Sequence, residues 1–254
     1  IKEIQYLKDN YQIEGVIFAD ECLVTRRSRV LELCDRIREL ELNWHCQGRV
    51  NLVDEEVLLS MKSAGCKAIG YGFESGSQKI LDAMNKKATI SQAKKAIFET
   101  ERAGLYPIFQ MMFGYPGEDK ETIRETIDFF KDIGHPGCDF SPTTPLPGTE
   151  LWRYSLERGL IRNEKDFLEK LEGGYSSDAP ILVNFTDFPT EQLNLIRIKT
   201  QQQIKRNHML RHPILMSKDY IDRLKYNLKN NGIMATLMKA KQKLLGSPPQ
   251  DTAA

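Results

Sequence analysis

The amino-acid sequence predicts an α/β fold: a partial parallel (βα)6-type barrel lacking its first strand, followed by a helical C-terminal tail. Short apolar strand patterns alternate with longer stretches of helical period through residues 1–158. Crossovers of that length join neighbouring strands in parallel, with right-handed connections. The alternation opens on a helix with no strand before it, so a strand and its loop are expected upstream of Ile1. Beyond Arg158 the alternation ceases, which divides the chain into a core (1–158), an irregular and then helical region (159–245) and a disordered tail (246–254).

The elements follow in order from local pattern. Ile1 to Asn10 reads as a helix with Ile4 and Leu7 on one stripe, and Gly15 to Ala19 as a short buried strand. Ser28 to Leu40 carries Val30, Leu33, Cys34, Ile37 and Leu40 at helical spacing, and Asn43 to Gly48 is the next strand. Asp54 suits the N-cap of a helix through Val57, Leu58 and Met61 that stops at Gly65. Ala68 to Phe73 is a third strand, followed by a short helix near Gln78 to Met84. Thr89 with Gln92 three residues on forms a capping box for a helix ending at Gly104. Tyr106 to Phe113 is the most apolar strand, Glu118 to Asp132 is helical, and Cys138 to Thr143 is the fifth strand. Glu150 to Arg158 is a helix, 159–185 is irregular, and Asp187 to Leu245 is helical.

With 254 residues, 41% of them hydrophobic, the chain can bury a substantial core. No apolar run approaches the roughly 20 residues that span a bilayer, and the amphipathic start favours a cytoplasmic protein. The five cysteines, Cys22, Cys34, Cys46, Cys66 and Cys138, are too scattered for a local metal knuckle and read as reduced, packed thiols. No metal-ligating set is expected. Net charge is only +1, but between Ile196 and Gly246 twelve Lys or Arg face two acids, Asp219 and Asp222. That basic tail reads first as a surface packed on the rest of the protein, ahead of membrane-surface contact, with nucleic acid not favoured. His208 and His212 have metal-binding spacing without a third ligand, and read as part of a solvated basic helix.

Ligand sites of parallel α/β folds lie at the carboxyl ends of the strands. Alternation puts Asn43, His45, Gln47 and Arg49 on one strand face, opposite Trp44 and Cys46. These polar groups either line the barrel interior or satisfy one another in a core. Gly70, Gly72 and Glu74 share a face, leaving space beside a carboxylate or marking a glycine-weakened bulge. The turn Ser75-Gly76-Ser77 offers N–H groups at a helix start. Gln110 interrupts an apolar strand, and the loop Phe113 to Glu118 allows close backbone approach. Asp20 and Glu21 read as an acid/base pair, a cofactor clamp or simply solvated carboxylates.

In order, Phe18-Ala19-Asp20-Glu21, Arg49 with Val53-Asp54, Met61 to Cys66, Gly70 to Gln78 with Leu81 and Met84-Asn85-Lys86, Ala103-Gly104-Leu105, Phe113 to Glu118 and Thr144 to Thr149 together resemble the radical SAM superfamily. The likeness covers about Gly15 to Arg158 and is greatest to members associated with a cobalamin-binding domain, in the anaerobic tetrapyrrole-cyclase-like and methyltransferase-like groups. It implies an enzyme in which a reduced [4Fe-4S] cluster cleaves S-adenosylmethionine (SAM) to a 5′-deoxyadenosyl radical. Hydrogen abstraction, methyl transfer or cyclisation on a small-molecule substrate follows. It places Asp20 and Glu21 near the methionine amino end, Glu74 and Ser75 near ribose or methionine, Gln110 to Gly114 near adenine, and Arg49 near the methionine carboxylate. It further implies an electron donor such as flavodoxin or ferredoxin, and cobalamin held by an N-terminal domain outside this chain.

The family's Cys-x-x-x-Cys-x-x-Cys loop does not occur in the sequence. The missing loop and the missing strand belong to one place, so the cluster ligands are expected upstream of residue 1. This chain alone is then expected to be inactive. The alternative is a non-catalytic degenerate barrel that binds SAM or another nucleotide without a cluster.

Overall fold

The computed structural model describes residues 1–171, 177 and 179–211. The chain divides into two compact units, Ile1–Arg206 and Asn207–Ala254, the second described only through residues 207–211. The elements of the first part are α1 (Lys2–Tyr11), β1 (Gly15–Ile17), α2 (Arg27–Arg38), β2 (Asn43–Gly48), α3 (Glu55–Ser63) and β3 (Cys66–Glu74). There follow α4 (Gln78–Ala83), α5 (Ile90–Arg102), β4 (Tyr106–Phe113), α6 (Lys120–Asp132), β5 (Phe140–Pro142), α7 (Glu150–Glu157), α8 (Glu164–Leu171) and α9 (Thr190–Arg211). The strands form one parallel sheet in chain order, β1-β2-β3-β4-β5, curled into a half-barrel.

The described helices pack on the outer face, and strand alternation follows from that. Trp44 and Cys46 of β2, Ile69, Tyr71 and Phe73 of β3, and Phe109, Met111 and Phe113 of β4 are buried against them. The indole N–H of Trp44 donates to the carbonyl of Ala64 at 2.7 Å, and the Tyr71 hydroxyl pairs with Thr100 Oγ1 at 2.8 Å, so both buried polar tips are satisfied. The residues between them in sequence point to the open, concave face.

The predicted caps form. Asp54 accepts from the Val57 N–H at 2.9 Å, and Thr89 and Gln92 close their capping box at 3.1 and 2.9 Å. Asp119 caps α6 and also accepts from Lys79 at 2.8 Å, and that lysine bond, ahead of the Thr122 N–H, holds its carboxyl down to about 2. At the far side, α9 docks through buried Arg197, whose guanidinium donates to the carbonyls of Phe140 (3.1 Å) and Ser177 (2.8 Å).

Two expectations need correction. The strand expected to be buried over Gly15–Ala19 ends at Ile17 and forms the sheet edge, with Ile17 76% exposed. An apolar pattern does not distinguish a central strand from an edge whose concave side lacks a partner. The stretch expected to be irregular contains α8, whose Phe167 joins Trp152, Ile161 and Val183 in a small second core. Eight residues carry too few helical repeats to stand out from their surroundings. The helical tail is confirmed over Thr190–Arg211; residues 212–245, His212 and the tail 246–254 lie outside the described residues.

Candidate functional site

The pairing register lines up the open face row by row. Ile17 lies beside His45, Gln47 beside Gly70, Gly70 beside Ile108, and Gly72 beside Gln110. Each row carries a polar or absent side chain, where a filled barrel would carry branched apolar ones.

The two glycines have different consequences. A Cβ on Gly70 would stand 2.2 Å from Gln47 Oε1, so the Gln47 amide already occupies that space. Gln47 Oε1 is buried and lacks a hydrogen-bond partner among the described residues. At Gly72 the three atoms nearest a Cβ would be polar head groups: Glu74 Oε1 at 3.0 Å, Gln110 Oε1 at 3.5 Å and Lys86 Nζ at 3.5 Å. A bare stretch of strand is therefore ringed by a carboxylate, an ammonium and an amide.

Glu74 reaches this position through a distortion. The β3–β4 register shifts between Gly72 and Glu74, and Glu74 has φ 76°. Among the described residues, the other non-glycine residues with positive φ, Gln12, Glu41, Asn85 and Lys87, are in the connections that follow helices, and Glu74 alone lies in a strand. A left-handed non-glycine residue costs on the order of 1–3 kcal/mol and persists where its surroundings over-determine it. Here the bulge turns the carboxylate back over Gly72, where Lys86 Nζ donates to Oε1 at 2.8 Å. Both side chains are more than three-quarters buried.

Lys86 owes its place to the end of α4. The Asn85 N–H donates to the carbonyl of Asp82 and the Lys86 N–H to that of Leu81, with Asn85 left-handed, a complete Schellman stop using asparagine in place of glycine. From the end of β2, Arg49 donates to the Lys86 carbonyl at 2.5 Å, and Asn51 to the Lys87 carbonyl at 3.3 Å.

The remaining predicted residues are placed differently. Asp20 and Glu21 are exposed just past β1, and Asp20 is drawn to Arg29 of α2 at 3.7 Å. Ser75 is buried and accepts from the Ser77 N–H at 3.2 Å, while the Gly76 N–H donates to Thr126 Oγ1 at 3.1 Å. The N–H groups of Gly76 and Ser77, expected to be available to a ligand, are thus used within the fold. Gly114 is left-handed at φ 85°, and its N–H donates to Glu118 Oε2 at 2.6 Å. Burial, opposed by that hydrogen bond, pushes the Glu118 carboxyl up to about 7. Glu118 also lines a cleft of about 380 Å³ with Asp187, Phe188 and Gln192, beside the N-terminus of α6.

Two participants escape a reading of the sequence. Lys86 stands out only within Met84-Asn85-Lys86, and nothing local shows that it reaches a strand twelve positions earlier. Glu118 reads as the end of the loop after β4 and the start of a helix, and nothing in its neighbours' composition signals burial.

Cys34, Cys46 and Cys66 are buried beneath the helices, Cys22 and Cys138 are half-buried, and among the described residues no three His, Cys, Asp or Glu side chains are placed to hold a metal. These residues do not fit an iron–sulfur cluster. The open face does fit an adenosyl group with an amino-acid tail: its acceptors suit hydroxyls and an ammonium, and Gly72 admits close approach.

The fold and this polar strand-end site define a partial-barrel, cofactor-binding α/β protein. The chain belongs to the radical SAM superfamily, whose sequence profile matches residues 1–130. The family's cofactors are SAM and a [4Fe-4S] cluster. An uncharacterized methyltransferase of Pyrococcus horikoshii is 31% identical over 163 residues, covering 63% of this chain and 36% of that protein. The anaerobic magnesium-protoporphyrin IX monomethyl ester cyclase of Rubrivivax gelatinosus is 30% identical over 157 residues, covering 60% of this chain and 28% of that protein. The chain thus spans about a third of the length of these curated relatives. Among solved structures, the radical SAM methyltransferase TsrM of Kitasatospora setae, with cobalamin and a [4Fe-4S] cluster bound, superposes with a TM-score of 0.51 at 19% identity. That match covers 57% of this chain and 28% of TsrM and concerns the fold alone.

Proposed function

We propose that this chain is the SAM-holding part of a radical SAM enzyme that carries out methyl transfer or cyclisation on a small-molecule substrate. The observation that carries this reading is the side-chain-free stretch at Gly72, ringed by Glu74, Lys86 and Gln110 at the carboxyl ends of adjacent strands. Glu74 accepts from the ribose hydroxyls or the methionine ammonium. Gln110 and the strand end leading to Gly114 flank the adenine, and Ser75 supports the turn behind Glu74. Arg49, Asp20 and Glu21 border the same end of the sheet. SAM supplies the reactive adenosyl fragment, while these side chains orient it and exclude water.

The cluster is held by cysteines upstream of residue 1, cobalamin by a separate domain, and the electron comes from a flavodoxin- or ferredoxin-like donor. The relatives' names support a tetrapyrrole or similar small molecule as substrate. Among the described residues no helix is long and apolar enough to cross a membrane, and we place the protein in the cytoplasm.

Gly72→Ala tests the site. Its Cβ would meet the ends of flexible side chains, so the melting temperature should stay within about 2 °C. The affinity for S-adenosylhomocysteine should fall about tenfold or more, because the methyl group occupies the ligand's approach. Unchanged affinity in this variant rejects the site.

A second reading, a cluster-free SAM-binding module, draws support from the described residues alone, among which no three His, Cys, Asp or Glu side chains are placed to hold a metal. The coding sequence upstream of Ile1 separates the two: a Cys-x-x-x-Cys-x-x-Cys there favours the enzyme.

A further inference from the structure

We propose that Lys86 is a positioning residue of the adenosyl site, acting through Glu74, and that Arg49 acts one step further back by holding the main chain that carries Lys86. This rests on the site proposed above and assigns within it a relay running from β2 through the α4 connection to β3.

Three observations lead to it. Glu74 has a left-handed backbone within a strand, so its side-chain direction is imposed by contacts and not by strand geometry. The contact that faces it is Lys86 Nζ at 2.8 Å, in a partly buried position where a charge-assisted hydrogen bond is only weakly screened. Lys86 is in turn fixed at its main chain, by the Schellman bond to Leu81 and by the Arg49 guanidinium at 2.5 Å. With its guanidinium bound to a backbone carbonyl, Arg49 supports the loop in this arrangement. The ammonium holds Oε1 of Glu74, and the second carboxylate oxygen is the one that meets the ligand.

The experiment is a double-mutant cycle read by isothermal titration of the purified protein with S-adenosylhomocysteine. The variants are Lys86→Met, Lys86→Arg, Glu74→Met and the Lys86→Met/Glu74→Met pair, with melting curves confirming that each is folded. Lys86→Met should weaken binding about tenfold, and Lys86→Arg should restore it to within about threefold. In the Glu74→Met background the Lys86→Met substitution should have almost no further effect, because its acceptor is gone. A full further loss in that background makes Lys86 a direct ligand contact and overturns the positioning role. Lys86→Met binding like wild type overturns it as well. Absence of binding by the wild type rejects the adenosyl site itself, and with it this inference; binding by the wild type together with any failure above rejects only the inference.

Discussion

Glu118 shows how a single residue can link the loop at the end of β4 to pH. Burial raises its carboxyl to about 7 from an ordinary value near 4.5, so the folded chain binds a proton that the unfolded chain releases. The sign follows: the stabilising protonation is fully present below about 4.5 and is lost as pH rises through 7, a change of about 3 kcal/mol. Thermal melts of the wild type between pH 5 and 8 should therefore fall relative to those of Glu118→Gln, whose amide oxygen can still accept from Gly114 without becoming charged. Parallel profiles would mean that the carboxyl is not the titrating group. Legibility at this scale was uneven. Glu74, Gln110 and Gly72 could be read because strand alternation fixes which side chains share a face. The partners that turn Glu74 could not, because a bulge and a loop contact depend on tertiary geometry.

At the scale of elements, close approach is decided by where a side chain is missing. The turn after β3 lies against α6: a Cβ on Gly76 would stand 2.5 Å from the Cα of Thr126 and 2.9 Å from the Cβ of Phe129. These are main-chain and stem atoms, so α6 itself must move. Gly76→Ala should destabilise by about 2–3 kcal/mol and lower the melting temperature by roughly 5–10 °C. This contrasts with Gly72→Ala, where binding falls and folding does not; similar losses of stability in both would remove the distinction between a packing glycine and a site glycine. Helix starts and stops were readable in advance because caps are local, as at Asp54, Thr89 and Gly104. The edge position of β1 and the helix α8 were not, since one depends on which strands neighbour it and the other on a small satellite core.

At the scale of the molecule, the parallel half-barrel was legible because alternation of strand and helix admits few topologies, whereas the cluster question turns on where the thiols fall. Cys46 and Cys66 lie on adjacent strands with Cys34 nearby on α2, all under the helices, where burial raises the Cys34 thiol to about 12, and the hydrogen bond with Cys66, ahead of burial, pushes that of Cys46 up. These thiols lie on the opposite face of the sheet from Glu74 and Gln110, and among the described residues no three His, Cys, Asp or Glu side chains are placed to hold a metal. Burial raises Cys138 to about 12 in the same way. Anaerobic reconstitution of this chain with iron and sulfide should therefore leave no stoichiometric cluster, measured as iron and acid-labile sulfide per polypeptide, while S-adenosylhomocysteine still binds. A stable cluster near four irons per chain would show that these cysteines rearrange to meet it, and would reverse the assignment of its ligands to sequence upstream of residue 1.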